Sequence, residues 1–103
     1  MGYKVVIGKS AKADLQNILD WYTGESLSAL QKFVGALYER LDDLVERPES
    51  FGVVRQHQRF RKVKISRFPY FIVFRIDETR NKVFISAVIH VKRNPEIWIK
   101  RLR

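Results

Sequence analysis

The side chains in this sequence that could carry chemistry are few, and most are basic. Lys62 and Lys64 stand two residues apart in the run Arg61-Lys62-Val63-Lys64-Ile65-Ser66. Successive side chains of an extended strand alternate, so both lysines share one exposed face with Ser66, while Val63 and Ile65 point the other way. His90 is the natural general acid or base, because imidazole titrates near neutrality. Arg93 follows it by three residues. The competing reading of His90 is structural: a ring packed on Trp98, or bonded to a nearby backbone group. That reading is preferred, since no carboxylate stands close in sequence to make a dyad.

Other chemistries find no support. The chain has no cysteine, hence no disulfide framework, thiolate zinc site or cysteine nucleophile. His57 and His90 lack metal-ligand spacing, and no metal or cofactor is expected. There is neither a phosphate-cradling glycine loop nor a serine-triad signature.

Charge points to a kind of partner. The net charge is +9, unevenly placed. Residues 1–52 hold six Lys/Arg against eight Asp/Glu, a net of −2; residues 53–103 hold fourteen against three, a net of +11. Such asymmetry suits a polyanion: nucleic acid, an acidic protein segment or a membrane surface. No apolar run approaches the ~18 residues of a membrane span, and no membrane partner is expected. The opening Met-Gly-Tyr-Lys has no signal-peptide apolar region. The cytosol is the simplest home.

The elements that must position these residues can be read in order. With 103 residues and 46% hydrophobic content, the chain is expected to form one domain, 1–103, with one core. Tyr3–Ile7 predicts a first strand. Ser10 is the expected cap of a helix in which Ala11, Leu15, Ile18 and Tyr22 recur at helical spacing, stopped by Thr23-Gly24. Asp14 in its first turns suits the helix dipole. Ser26 is the expected cap of a second helix reaching about Glu46, striped by Leu27, Leu30, Val34, Leu37, Leu41 and Leu44, with Phe33, Tyr38 and Val45 flanking. Gly35 inside it is expected to permit close packing against the first helix, and Pro48 ends it. Glu49–Arg59 reads as an irregular surface loop holding a solvated His57. Three strands follow: Arg61–Ser66, then Tyr70–Asp77 and Lys82–Val91, both apolar on each face and so central in a sheet. Short links predict antiparallel hairpins. Alternation places Val83, Ile85, Ala87, Ile89 and Val91 on one side of the last strand. Asn94 then caps a short helix opened by Pro95. The order is β-α-α-β-β-β-(α), an α+β fold with a helical hairpin against an antiparallel sheet.

With those elements placed, the chain resembles the RelE/ParE toxin superfamily of bacterial type II toxin–antitoxin systems. The matching residues are Ala11-x-x-Asp14-Leu15-x-x-Ile18-x-x-Trp21-Tyr22, Leu41-x-x-Leu44-x-x-x-Pro48, and Phe68-Pro69-Tyr70-x-Ile72-x-Phe74-Arg75. The most specific is Val88-Ile89-His90-x-x-Arg93-Asn94-Pro95-x-x-Trp98. It is similar to the His-x-x-Arg-Asp-Pro-x-x-Trp ending of ParE-like plasmid-stabilisation proteins, with Asn94 in place of Asp.

The resemblance implies the fold just read and a growth-inhibiting toxin neutralised by a cognate antitoxin. It leaves two mechanisms. ParE-like members poison DNA gyrase; RelE-like members cleave mRNA in the ribosome. RelE-like enzymes use a lysine pair on the second strand, an arginine on the third, and an arginine and a tyrosine near the C-terminus. Lys62, Lys64 and Arg93 match. The third-strand arginine aligns with Phe71, and the tyrosine falls near Trp98 or Ile99, so two of the roles stand vacant.

The expectation is therefore a ParE-like toxin that inhibits by binding DNA gyrase, through Lys62, Lys64, Arg67, Arg75, Arg93, Trp98, Arg101 and Arg103. Trp98 also has a plainer reading, pinning the tail to the sheet. The alternative is a ribosome-dependent mRNA endonuclease using Lys62, Lys64, His90 and Arg93; a further one is a non-toxic basic nucleic-acid-binding module. The antitoxin is expected to wrap the helical hairpin and part of the sheet face. Both a homodimer and a toxin–antitoxin hetero-oligomer are open.

Overall fold

The computed structural model describes residues 2–102. In chain order it contains β1 (Lys4–Ile7), α1 (Lys9–Glu25), α2 (Leu27–Glu46), a 3₁₀ turn (Pro48–Ser50), β2 (Val53–Val54), β3 (His57–Lys64), β4 (Tyr70–Asp77), β5 (Lys82–His90) and α3 (Pro95–Ile99). The five strands form one sheet in the order β1-β5-β4-β3-β2. This is the expected α+β arrangement with two changes: β1 runs parallel to β5, so the sheet is mixed, and the short strand β2 is added at its far edge. The helical hairpin carries the chain away from β1, and the later meander brings β5 alongside it in the same direction. The pairs β2–β3, β3–β4 and β4–β5 are antiparallel.

Each face of the sheet has its own apolar cluster. On one side α1 and α2 pack Ala11, Leu15, Ile18, Tyr22, Phe33, Leu37 and Leu44 against Val63, Ile65, Ile72, Phe74, Val83, Ile85 and Val88. On the other, the C-terminal tail lays Trp98 and Leu102 over Val54, Phe60, Val73, Ala87 and Ile89. Both clusters depend on a β-bulge. Phe74 opposes Ile85 and Val73 opposes Ala87, so Ser86 is an extra residue on β5. The bulge flips the alternation. Val83, Ile85 and Val88 face the helices, whereas Ala87 and Ile89 face the tail, correcting the single-face expectation for β5.

Several local expectations also shift. α1 begins after Gly8, not Ser10, and no side chain caps it. It runs through Gly24 to Glu25, with Thr23 Oγ1 donating back to Leu19 O (2.7 Å). Ser26 alone joins the two helices; its Oγ accepts the Ala29 N–H at 2.9 Å, the predicted cap. The buried centre of α2 is Phe33, Leu37 and Leu44, while Leu27 is 68% exposed at the hairpin end. Gly35 does not touch α1, since a Cβ there would meet nothing within 4 Å. Instead of a loop, residues 53–64 form a tight hairpin, because Val54 and Phe60 bury beneath the tail. His57 therefore lies on β3, its ring edge-on to Phe60 at 4.7 Å. Asn94 Oδ1 accepts the Glu96 N–H at 2.9 Å and caps α3, as read from sequence.

Candidate functional site: a divided basic face

Cations on the tail-covered face of the sheet fall into two groups. The register pairs Lys62 with Val73, Lys64 with Phe71, Phe71 with Ile89 and Arg75 with Phe84. The buried patch under Trp98 runs diagonally across this grid, from Phe60 through Val73 to Ala87 and Ile89. Lys62, Lys64 and Phe71 lie on one side of the diagonal, and Arg75 and Phe84 on the other.

In the first group the Lys62 ammonium sits over the Phe71 ring, 4.5 Å from its centroid, an attraction between the cation and the negative face of the ring. Lys64 is exposed. Its backbone is held by Arg40 of α2, whose Nε donates to Lys64 O at 2.8 Å and whose Nη2 donates to Ser66 Oγ at 3.2 Å. Asp43 steadies that arginine at 3.0 Å. The link from β3 to β4 carries Arg67 with φ 70°. Left-handed backbone costs a side-chain-bearing residue about 1 kcal/mol or more. A strained arginine kept at an exposed turn is a reason to look for function there.

His90 does not join this group. It stands opposite Tyr70 at the end of β5 and on the helix side of the sheet, their rings edge-on at 5.4 Å. Its Nδ1 accepts the Lys92 N–H at 3.1 Å, which leaves the ring hydrogen of the neutral form on Nε2. Of the two structural partners considered for it, the backbone group is the one found; Trp98 lies on the other face. Arg93 is exposed in the turn just beyond, its N–H donating to His90 O at 3.0 Å.

Trp98 is 3% exposed and packs into the second cluster. A ring buried so far cannot stack on a base or fill a partner's pocket, which corrects its place among the expected contacts; the pinning role is the one observed. Arg103 lies outside the described residues.

The second group gathers around the β5 bulge. Arg75 lies over the Phe84 ring at 5.0 Å. A cavity of about 500 Å³ opens beside it, with Lys9, Ser10, Ser86 and Arg101 in its lining. Gly8 forms part of the wall, and only glycine fits: a Cβ would come within 2.9 Å of Ile85 O and of the Phe84 ring. Arg101 is anchored by Asp14, Nη2 to Oδ2 at 3.0 Å and Nη1 to Oδ1 at 3.3 Å. Asp14 Oδ2 also accepts the Val88 N–H at 2.9 Å. β1 pairs only as far as Ile85, so this carboxylate satisfies the edge of β5 where its neighbour strand stops. Sequence reading assigned Asp14 to the helix dipole and missed this clamp. It also missed the cavity, because the bulge that forms it leaves no mark in the hydrophobic pattern. Among the described residues no cluster of His, Cys, Asp or Glu could hold a metal ion, and no helix is long and apolar enough to cross a membrane.

Comparison with known proteins now bears on this geometry. Residues 5–95 match the model of the ParE toxin of the type II toxin–antitoxin system parDE. The chain belongs to the ParE toxin family. It is thus a ParE-type toxin of a toxin–antitoxin system, within the RelE/ParE superfamily. Its fold is shared by a chain of the chromosomal ParDE system of Pseudomonas aeruginosa (TM-score 0.71, 21% identity, 87% of this chain and 97% of that one). It is also shared by a chain of the RelBE2 toxin–antitoxin complex of Mycobacterium tuberculosis (0.61, 22%, 87% and 99%). A double mutant of the Escherichia coli toxin RelE in the free state aligns over the full length of both chains (0.63, 18%). No curated protein matches. The two branches of the superfamily are thus both represented among the structural neighbours, and likeness at these identities speaks for the fold alone.

Proposed function

We propose that this ParE-family toxin arrests growth by binding DNA gyrase, not by cleaving RNA. The observation that carries the reading is the Lys62–Phe71 contact. An endonuclease of the RelE kind needs a cation where Phe71 stands, to stabilise the charge that builds on the phosphate. Here an apolar ring fills the position and engages one of the two lysines. The tyrosine of that mechanism has no counterpart either, since Trp98 is buried and neither Trp98 nor Ile99 has a hydroxyl to give up. His90 is separated from Lys62 and Lys64 by the sheet. What remains is a cationic surface suited to binding: Lys62, Lys64, Arg67 and Arg93 towards one end of the sheet, with Arg75 about 7 Å beyond the Lys62 row and about 13 Å beyond the Lys64 row of β4 at ~3.3 Å per residue, and Arg101 of the tail beside it.

Its second partner is a cognate antitoxin. The RelBE2 neighbour is a toxin–antitoxin complex, and the helical hairpin here presents large apolar side chains that nothing among the described residues covers. Trp21 is 58% exposed, Leu27 68% and Tyr38 61%. A separate groove of about 540 Å³ lies between α2 and the Arg67 turn, opened by Gly35 and floored by Phe68. An amphipathic, partly acidic segment laid there would cover aromatic side chains and meet Lys32 and Arg67.

The test against the enzymatic alternative is ribosome-programmed mRNA incubated with the purified protein. Intact transcripts are expected, at protein levels that arrest growth on induced expression. Cleavage at codons in the ribosomal A site, lost in Lys64→Gln, would overturn the proposal. Absence of growth arrest would leave the non-toxic binding module as the reading.

A further inference from the structure

We propose that the cavity between the start of α1 and the Arg75–Phe84 pair binds a phosphate group of a nucleotide or of a nucleic-acid strand. This goes beyond the gyrase reading and does not depend on it. Three cations reach the cavity from three separate elements: Lys9 from α1, Arg75 from β4 and Arg101 from the tail. Only Arg101 has an anionic partner among the described residues, Asp14. Like charges gathered in one concave site repel one another unless an anion lies between them. Ser10 and Ser86 add two hydroxyl donors to the lining.

The donor set selects the ligand. Cations arriving from three directions can each meet a different oxygen of a tetrahedral phosphate, whereas a carboxylate offers two oxygens in one plane. Asp14, the carboxylate already present, pairs with Arg101 alone of the three cations and otherwise accepts the Val88 N–H. The cavity, at about 500 Å³, falls in the ordinary range for small-molecule sites, roughly 300–1,000 Å³, larger than a phosphate alone requires. It can therefore take a phosphate with its attached sugar. The site is distinct from Lys62 and Lys64, from which the Trp98-covered diagonal divides it.

The experiment is an amide chemical-shift titration of the full chain at low ionic strength. Three probes distinguish the sources: inorganic phosphate, adenosine 5′-monophosphate, and a short single-stranded oligonucleotide without terminal phosphates. Saturable shifts at Gly8, Ser10 and Ser86 are expected. Arg75→Gln and Lys9→Gln should each weaken them about ten-fold, the loss of one charge-assisted hydrogen bond. Lys64→Gln should leave them unchanged. Tighter binding of the monophosphate marks a free nucleotide; tighter binding of the oligonucleotide marks a strand backbone; either supports the site. Lys9 is exposed, so Lys9→Gln keeps the test open if Arg75→Gln does not fold. No saturable shift with any probe, or equal affinity in wild type, Arg75→Gln and Lys9→Gln, overturns the proposal.

Discussion

Replacing Asp14 with alanine removes a side chain that ties α1, the unpaired edge of β5 and the C-terminal tail together. Two losses follow. The Val88 N–H, on a residue 4% exposed, loses its acceptor, and an unsatisfied buried donor costs about 1–3 kcal/mol. The pair with Arg101 also goes. With the two side chains 17% and 30% exposed, it is worth about 1 kcal/mol after solvent screening. Together the change is about 3 kcal/mol, which for a domain of this size lowers the melting temperature by about 12–24 °C. Thermal unfolding followed by circular dichroism measures it. Arg101→Gln keeps the Val88 bond and loses only the ion pair, so it should fall by about a third as much. Hydrogen exchange localises the effect: the Val88 amide should exchange far faster in Asp14→Ala while amides of Ile72 and Phe74 keep their protection relative to global stability. A melting temperature within about 3 °C of wild type, with Val88 still protected, would refute the clamp.

Trp98→Ala should cost about 3–5 kcal/mol by emptying the second cluster, and a stability loss under about 1 kcal/mol in a denaturant melt would contradict its burial there. Arg67→Gly relieves a left-handed backbone, so the fold should be as stable or up to ~1 kcal/mol more stable while growth arrest weakens; a clear destabilisation would show that the arginine holds the turn. Lys64→Glu and Arg93→Glu lie on exposed residues and should reduce toxicity without shifting the melt; full toxicity in both folded variants would sink the contact assignment. Burial, with the Tyr70 phenol beside it, raises the Tyr22 hydroxyl above its ordinary value of 10.0. The folded state then holds that proton more tightly than the unfolded chain does, so the associated stability is present below about pH 10 and is lost as pH rises through the raised value. Tyr22→Phe should flatten this alkaline loss, and identical pH profiles for the two proteins would contradict it.

Much of this architecture was legible in the sequence because it rests on local signals. Ser26 and Asn94 each carry a side-chain oxygen that caps a helix, and both do so at the predicted position. The β4 and β5 runs read as central strands because both their faces are apolar, and both do bury two faces. What stayed hidden depended on tertiary contacts. The parallel seat of β1 is decided by where the hairpin returns the chain. Ser86 resembles any strand residue, yet it is the extra member of the bulge, and that shift moves Ala87 and Ile89 to the tail side. β2 and the start of β3 looked irregular because their burial comes from Trp98 and Leu102, some forty residues later in the sequence. Around the proposed site, alternation alone put Lys62 and Lys64 on one face of the strand, and the register keeps them there. The separation of His90 from them and the clamp at Asp14 could not be read that way, since each depends on which element packs against which face.

The most direct test of the central claim is DNA supercoiling by purified gyrase, with and without this protein. Loss of supercoiling with accumulation of cleaved, gyrase-bound DNA is expected, and Lys64→Glu and Arg93→Glu should weaken it. Unimpaired supercoiling at protein levels that arrest growth would contradict a gyrase-binding toxin.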